Sequence, residues 1–265
     1  DDCLLIRNIT LADDTRKLQK DLDSLAEWAD QWQMNFNAKK CYTIRIHRKR
    51  NPISHNYTMD GESLQVVSNK AYLGIELHER LSWRPHIDAI ANKATKTLGF
   101  PKRNFGKQCP TDVKKLAYTS LVRPQLEYAS AAWDPYKQNQ IDKLEKIQRR
   151  AVRFICGDYQ RDSSVTNMRE MIKLPTLEER RKRTRLTIFY KITTNQIAIP
   201  IPTYITQRQR STRRSQNQRF IRLGSNMDAY KYSFFPRTLK DWDDLPQDII
   251  ELPSVEQFKV AVNTY

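Results

Sequence analysis

Two neighbouring stretches decide the fold class: Ala71-Tyr72-Leu73-Gly74-Ile75-Glu76-Leu77 and, six residues on, Trp83-Arg84-Pro85-His86-Ile87. The first reads as a strand. From about residue 82 the apolar period lengthens from two to that of a helix. Trp83, Ile87, Ile90, Ala94 and Leu98 then share one stripe, with Pro85 tolerated in a first turn and Gly99 suited to the exit. The chain is therefore expected to be α+β, a small antiparallel part giving way to a mostly α-helical part.

Upstream of that switch, Leu18, Leu22, Leu25, Ala29, Trp32 and Phe36 recur at steps of three and four and predict a helix with one buried stripe. Thr10 is placed to cap it, Asp13 and Asp14 suit its first turn, and Asn37-Ala38-Lys39-Lys40 ends it. Residues 41–47 are β-rich, and Asp60-Gly61 between two short apolar runs is a hairpin signal. Downstream, Thr111 can cap a helix that Pro124 interrupts. Between Gln138 and Cys156, Ile141, Leu144, Ile147, Ala151 and Phe154 or Ile155 form a core stripe. Lys143, Lys146, Arg149, Arg150 and Arg153 crowd the rest of that helix, as a solvated face or a phosphate-contacting one. Phe234-Phe235-Pro236 and Trp242 suggest a buried aromatic patch, and Ser254 with Gln257 opens a last helix.

The 265 residues carry 46 Lys and Arg against 30 acids, a net charge of +16, which calls for an acidic partner, usually polyphosphate. Residues 177–223 hold twelve Lys or Arg against Glu178 and Glu179, a net of +10. Within them 207–222 has six Arg, among them Arg208, Arg210, Arg213 and Arg214, no acid and many small polar residues, so it is expected to be mobile until bound. Four scattered Cys and four His without HExxH-type spacing argue against a thiolate or imidazole metal site and against a disulfide framework. No apolar run approaches the ~20 residues of a membrane span, so no membrane partner is expected.

Asp1-Asp2 stands directly before the apolar Leu4-Leu5-Ile6. Two other Asp pairs, Asp13-Asp14 and Asp243-Asp244, have ordinary places in a helix start and a turn. Taken in order, Asp1-Asp2, Asn37-Ala38-Lys39-Lys40-Cys41, Tyr72-Leu73-Gly74-Ile75, Trp83-Arg84-Pro85-His86-Ile87, Leu121-Val122-Arg123-Pro124-Gln125-Leu126-Glu127-Tyr128, residues 143–151 and Phe234-Phe235-Pro236-Arg237-Thr238 resemble the C-terminal part of the reverse transcriptase of non-LTR (LINE-type) retrotransposons, especially the jockey and chicken-repeat-like clades.

The resemblance implies the end of a palm domain at 1–80, a helical thumb at 81–160 and a basic helical C-terminal region at 161–265. It implies two Mg²⁺ ions with Asp1 and Asp2 as ligands, since nucleotidyl transfer needs carboxylates shared between hard cations. Lys40 would face departing pyrophosphate, and Tyr72, Leu73 and Gly74 would belong to a strand gripping the primer terminus. The implied partners are an RNA template, a DNA primer or target, and dNTP. The parent protein is expected to be intracellular, in the nucleus. The family also uses a third Asp on an earlier palm strand, and fingers, neither of which precedes Asp1 in this sequence. The chain alone is therefore expected to be inactive as a polymerase. The alternative is a non-catalytic RNA- or DNA-binding module, and a third reading is a basic structural domain that binds neither.

Overall fold

In the computed structural model, which describes residues 3–206, 220–221 and 224–265, the first helix α1 (Ala12–Gln31) starts at a cap opposite in sense to the expected one. Leu11 holds the N-cap position. The Asp14 carboxylate accepts from the amides of Thr10 and Leu11 at 2.9 and 2.8 Å and from the Thr10 hydroxyl at 2.8 Å. Those bonds, the Leu11 amide foremost, lower the Asp14 carboxyl to about 2. A short 3₁₀ turn, Ala38–Lys40, leads into six short strands: β1 (Tyr42–Thr43), β2 (Thr58–Met59), β3 (Glu62–Ser63), β4 (Gln65–Val66), β5 (Asn69–Tyr72) and β6 (Ile75–His78). They pair two by two. β2·β3 and β5·β6 are antiparallel, whereas β1·β4 is parallel.

Asp60-Gly61 makes the β2–β3 turn as the sequence predicts, with φ of 51° and 78°, the left-handed pair that a two-residue hairpin requires. The expected continuous strand over 71–77 is instead a second hairpin. Leu73 and Gly74 have φ of 47° and 79°, and Tyr72 lies opposite Ile75. Glycine frees the second turn position, and the left-handed conformation at Leu73 accompanies it. The Gln19 side chain holds β2 to α1, donating to the Thr58 carbonyl at 2.9 Å and accepting from its amide at 3.0 Å. Tyr57, Met59 and Leu64 pack with Leu18, Leu22, Leu25, Phe36 and Cys41 as a small core. Trp32 does not join it: α1 ends at Gln31, and the ring is 64% exposed beside Trp28. These elements belong to the first of two compact units, Asp1–His86.

The second unit, Ile87–Tyr265, is helical. α2 (Arg84–Asn104) runs past Gly99 with Pro101 inside it, so neither residue ends it. α3 (Thr111–Ala117) continues through a π-helical stretch, Tyr118–Val122, into α4 (Arg123–Glu127). Pro124 lacks an N–H and crowds the carbonyl four residues back. The chain accommodates it by widening, with the Arg123 amide bonded to the Tyr118 carbonyl five residues back rather than stopping. There follow α5 (Ser130–Trp133), α6 (Gln138–Cys156), α7 (Val165–Met171), α8 (Leu177–Thr193), α9 (Asp228–Lys231), α10 (Phe234–Asp243), α11 (Gln247–Ile250) and α12 (Val255–Thr264).

Gly157, left-handed at φ 69°, closes α6. Thr176 and Glu179 form a capping box on α8, and Ser254 accepts from the Gln257 amide on α12. The expected aromatic patch is present. Phe189 of α8 meets Trp242 of α10 edge-on at 4.9 Å, and Tyr190 stacks on Phe258 of α12 at 4.3 Å. Among the described residues no helix is long and apolar enough to cross a membrane.

Candidate nucleic-acid interface

The stripe expected of α6 is the one it buries: Ile141, Leu144, Ile147, Ala151, Phe154 and Ile155 are each at most 5% exposed. Burying that face fixes which way the basic residues point. Lys146, Arg149 and Arg150 are exposed and form no ion pair among the described residues, and their spacing of three and four sets them on one side of the helix. The other two basic residues are committed elsewhere. Lys143 Nζ lies 2.7 Å from Asp88 Oδ1 of α2. Arg153 donates to the carbonyls of Gln160 at 2.8 Å, Ser163 at 3.3 Å and Asp158 at 3.4 Å, holding the loop that follows α6. Lys143 can exchange an exposed partner at little cost. Arg153 cannot leave without loosening a loop.

The basic run on α8, expected to contribute to the charge available for a partner, is largely turned inward. Asp134, next to the fully buried Trp133, is itself 5% exposed. Its carboxylate accepts from Arg181 Nε at 2.7 Å and Arg185 Nε at 2.8 Å, and Arg237 Nη1 of α10 lies 3.3 Å from Oδ2. Arg185 also reaches Asp241 at 2.8 Å, and Arg237 donates to the carbonyls of Asp134 and Pro135 at 2.9 and 3.0 Å. Burial pulls the Arg237 guanidinium below its ordinary value against the pull of Asp134. Arg180 is bidentate on Glu127 of α4, with Nη2 to Oε2 at 2.9 Å. Arg183 donates to the Asn263 carbonyl at 3.1 Å.

Beneath α6, Tyr118 donates to Gln148 Oε1 at 2.8 Å, and Gln148 Nε2 donates to the Pro175 carbonyl at 2.9 Å. Burial raises the Tyr118 hydroxyl above the ordinary phenol range. Reading the sequence by charge density missed these groups. The available signal was the i, i+4 spacing of Arg181 and Arg185 among apolar Leu177, Leu186, Phe189 and Tyr190, which puts them on the helix side that faces the core.

Of the other sequence-predicted residues, Lys40, Tyr72, Leu73 and Gly74 belong to the first unit. Lys40 is exposed at the end of the 3₁₀ turn, and Tyr72, Leu73 and Gly74 stand at the β5–β6 turn with Leu73 57% exposed. Asp1, Asp2, Arg208, Arg210, Arg213 and Arg214 lie outside the described residues. The carboxylates that the resemblance assigns to Mg²⁺ are thus not among the described ones, and among the latter no three His, Cys, Asp or Glu stand together to hold a metal ion.

Three curated relatives place this geometry in context. The chain is 26% identical over 176 residues, 63% of its length, to "Probable RNA-directed DNA polymerase from transposon BS" of Drosophila melanogaster. It is 26% identical over 161 residues, 59% of its length, to "RNA-directed DNA polymerase from mobile element jockey" of Drosophila funebris. To the jockey protein of Drosophila melanogaster it is 23% identical over 187 residues, 65% of its length. The chain spans about a fifth of the length of these relatives, 17% to 20%. No family model and no solved structure matches it. Over roughly three-fifths of its length, therefore, the chain is a sequence relative of RNA-directed DNA polymerases from mobile elements.

Proposed function

We propose that the chain is the end of the palm, the thumb and the C-terminal region of an RNA-directed DNA polymerase of a non-LTR retrotransposon, whose parent protein copies element RNA at a nicked DNA target in the nucleus. The observation that carries this reading is the similarity to three mobile-element polymerases over 59% to 65% of the chain. The α6 face agrees with it. Three exposed cations on one rigid helix suit a duplex backbone, which is held by charge and position rather than by base reading. The partners are then an RNA template, a DNA primer and, in the whole enzyme, dNTP.

Asp1 and Asp2 would hold the two Mg²⁺ ions together with carboxylates from the rest of that enzyme. Such a metal pair polarises the reacting phosphate and lowers the pKa of the attacking hydroxyl. Lys40 would stand by departing pyrophosphate, and Tyr72, Leu73 and Gly74 by the primer end. Arg208, Arg210, Arg213 and Arg214 would add phosphate contacts.

With about a fifth of a relative's length, the chain on its own is expected to bind a primer annealed to template without extending it. The check is a primer-extension assay with an RNA template, a DNA primer, dNTP and Mg²⁺. Product lengthening by the isolated chain, abolished in an Asp1→Asn/Asp2→Asn variant, would refute the inactivity. Failure to bind the annealed pair at all would count against the whole reading. The alternative, a non-catalytic RNA- or DNA-binding module, expects binding by the isolated chain to persist unchanged in the Asp1→Asn/Asp2→Asn variant.

A further inference from the structure

Two pairs of tyrosine rings meet at one short segment of the helical unit. Tyr136, in the loop between α5 and α6, stacks on Tyr232 with ring centroids 4.1 Å apart and planes within 2°. Tyr204 lies 5.9 Å from Tyr230 at a tilt of 54°. Tyr230 and Tyr232 flank Lys231, so both pairs share Tyr230-Lys231-Tyr232 at the end of α9. The rings are not core. Tyr136, Tyr230 and Tyr232 are half-buried, and Tyr204 is 44% exposed.

Each stacked ring carries an ammonium close by: Lys137 Nζ is 5.9 Å from the Tyr136 centroid and Lys231 Nζ is 5.4 Å from that of Tyr232. Both lysines are exposed. The exposed carboxylate of the segment is Asp228, one turn earlier on α9. The support beneath is stiff, because Arg237 of α10 ties down the carbonyls of Asp134 and Pro135, directly before Tyr136. Near Tyr204, the Ile221 amide donates to the Thr206 carbonyl at 2.8 Å, with Ile205 and Phe220 in the core.

Half-exposed aromatic rings interleaved with lysines, on a rigid base, are the combination that takes unpaired bases: π-faces accept any base, and cations follow the phosphates. A duplex hides its base faces and has no use for the tyrosines. An acidic peptide would use the lysines but gain little from four rings. From this we infer that Tyr136, Tyr230 and Tyr232, with Lys137 and Lys231, form a stacking site for single-stranded nucleic acid, separate from the α6 face. Unpaired RNA and unpaired DNA share the chemistry it recognises.

The test measures fluorescence anisotropy of the full chain with oligouridine and with oligothymidine of about 12 nucleotides, within the span one such site covers. Tyr232→Leu and Tyr136→Leu are expected to weaken single-strand binding roughly five- to hundredfold and to leave the salt slope unchanged, since stacking releases no counterions. Lys137→Gln/Lys231→Gln is expected to reduce that slope by about one to two.

Tyr232→Phe, which keeps the ring and guards against a folding artefact, is expected to bind like the parent. RNA containing 4-thiouridine is expected to crosslink to Tyr136, Tyr230 or Tyr232. The outcome for oligouridine against oligothymidine identifies which strand is preferred. Full-strength binding by both Leu variants, crosslinks confined to other segments, or oligoglutamate competing as well as oligouridine would each overturn the site. Because Lys146, Arg149 and Arg150 lie outside it, loss of duplex binding in their variants, or its absence, leaves these outcomes unaffected.

Discussion

Asp134 is the residue on which most buried charge converges, and nothing in its local sequence distinguishes it from the surface acids. Its role depends on Arg181, Arg185 and Arg237, which are 47 to 103 positions away. Removing it would leave these guanidinium groups, two of them at most 2% exposed, without their shared carboxylate. Breaking a buried pair in this way costs about 3–5 kcal/mol, so Asp134→Ala is expected to lose most of the stability of the helical unit in urea titration. A loss below about 1 kcal/mol would show that the cluster is solvated.

His86 gives a second residue-scale expectation. Its Nδ1 accepts from the Glu76 amide at 3.3 Å, and burial lowers its pKa below the ordinary value near 6.5. A histidine kept neutral when folded binds fewer protons than the unfolded chain, so stability falls as pH drops below about 6.5. Urea midpoints are expected to decline from pH 7.5 to 5.5, and His86→Gln is expected to flatten the decline. An equally steep decline in the variant would assign the effect to other groups.

At the scale of the element, the helices with strong apolar period were legible. The α6 stripe fell where Ile141, Leu144 and Ile147 placed it, because a 3.6-residue period allows one solution for six apolar residues. Asp60-Gly61 was equally plain. Leu73-Gly74 was not, since a single glycine inside an apolar run reads the same in a strand as in a turn, and leucine gives no hint of a left-handed conformation. The hairpin predicts its own improvement. Leu73→Asn creates the Asn-Gly step that this turn favours and is expected to raise stability by about 0.5–1 kcal/mol, read as a higher urea midpoint for the first unit. A fall would mean that packing of the Leu73 side chain outweighs the backbone preference. Helix ends were less legible than helix cores: Pro124 and Gly99 both looked like stops, yet a π-turn absorbs one and α2 passes the other.

For the whole molecule, a net charge of +16 spoke for an anionic partner, but it did not say which cations are available to it. The structure separates them. Arg180, Arg181, Arg183, Arg185 and Arg237 are engaged with the chain itself, while Lys146, Arg149 and Arg150 are exposed on α6. The distinction needs tertiary structure, and no window of sequence contains both partners. Asp1 and Asp2, the carboxylates that the resemblance implies, lie outside the described residues, and the proposed nucleic-acid interface rests on α6. Its most direct test is the salt dependence of binding to an RNA–DNA hybrid, for the parent chain and for Lys146→Ala/Arg149→Ala/Arg150→Ala. Removing one phosphate-binding cation lowers the slope of log K against log salt by about one. The triple variant is expected to lower the slope by about two to three while Arg183→Ala leaves it unchanged, and equal slopes for the parent and the triple variant would contradict the assignment of α6 as the nucleic-acid face.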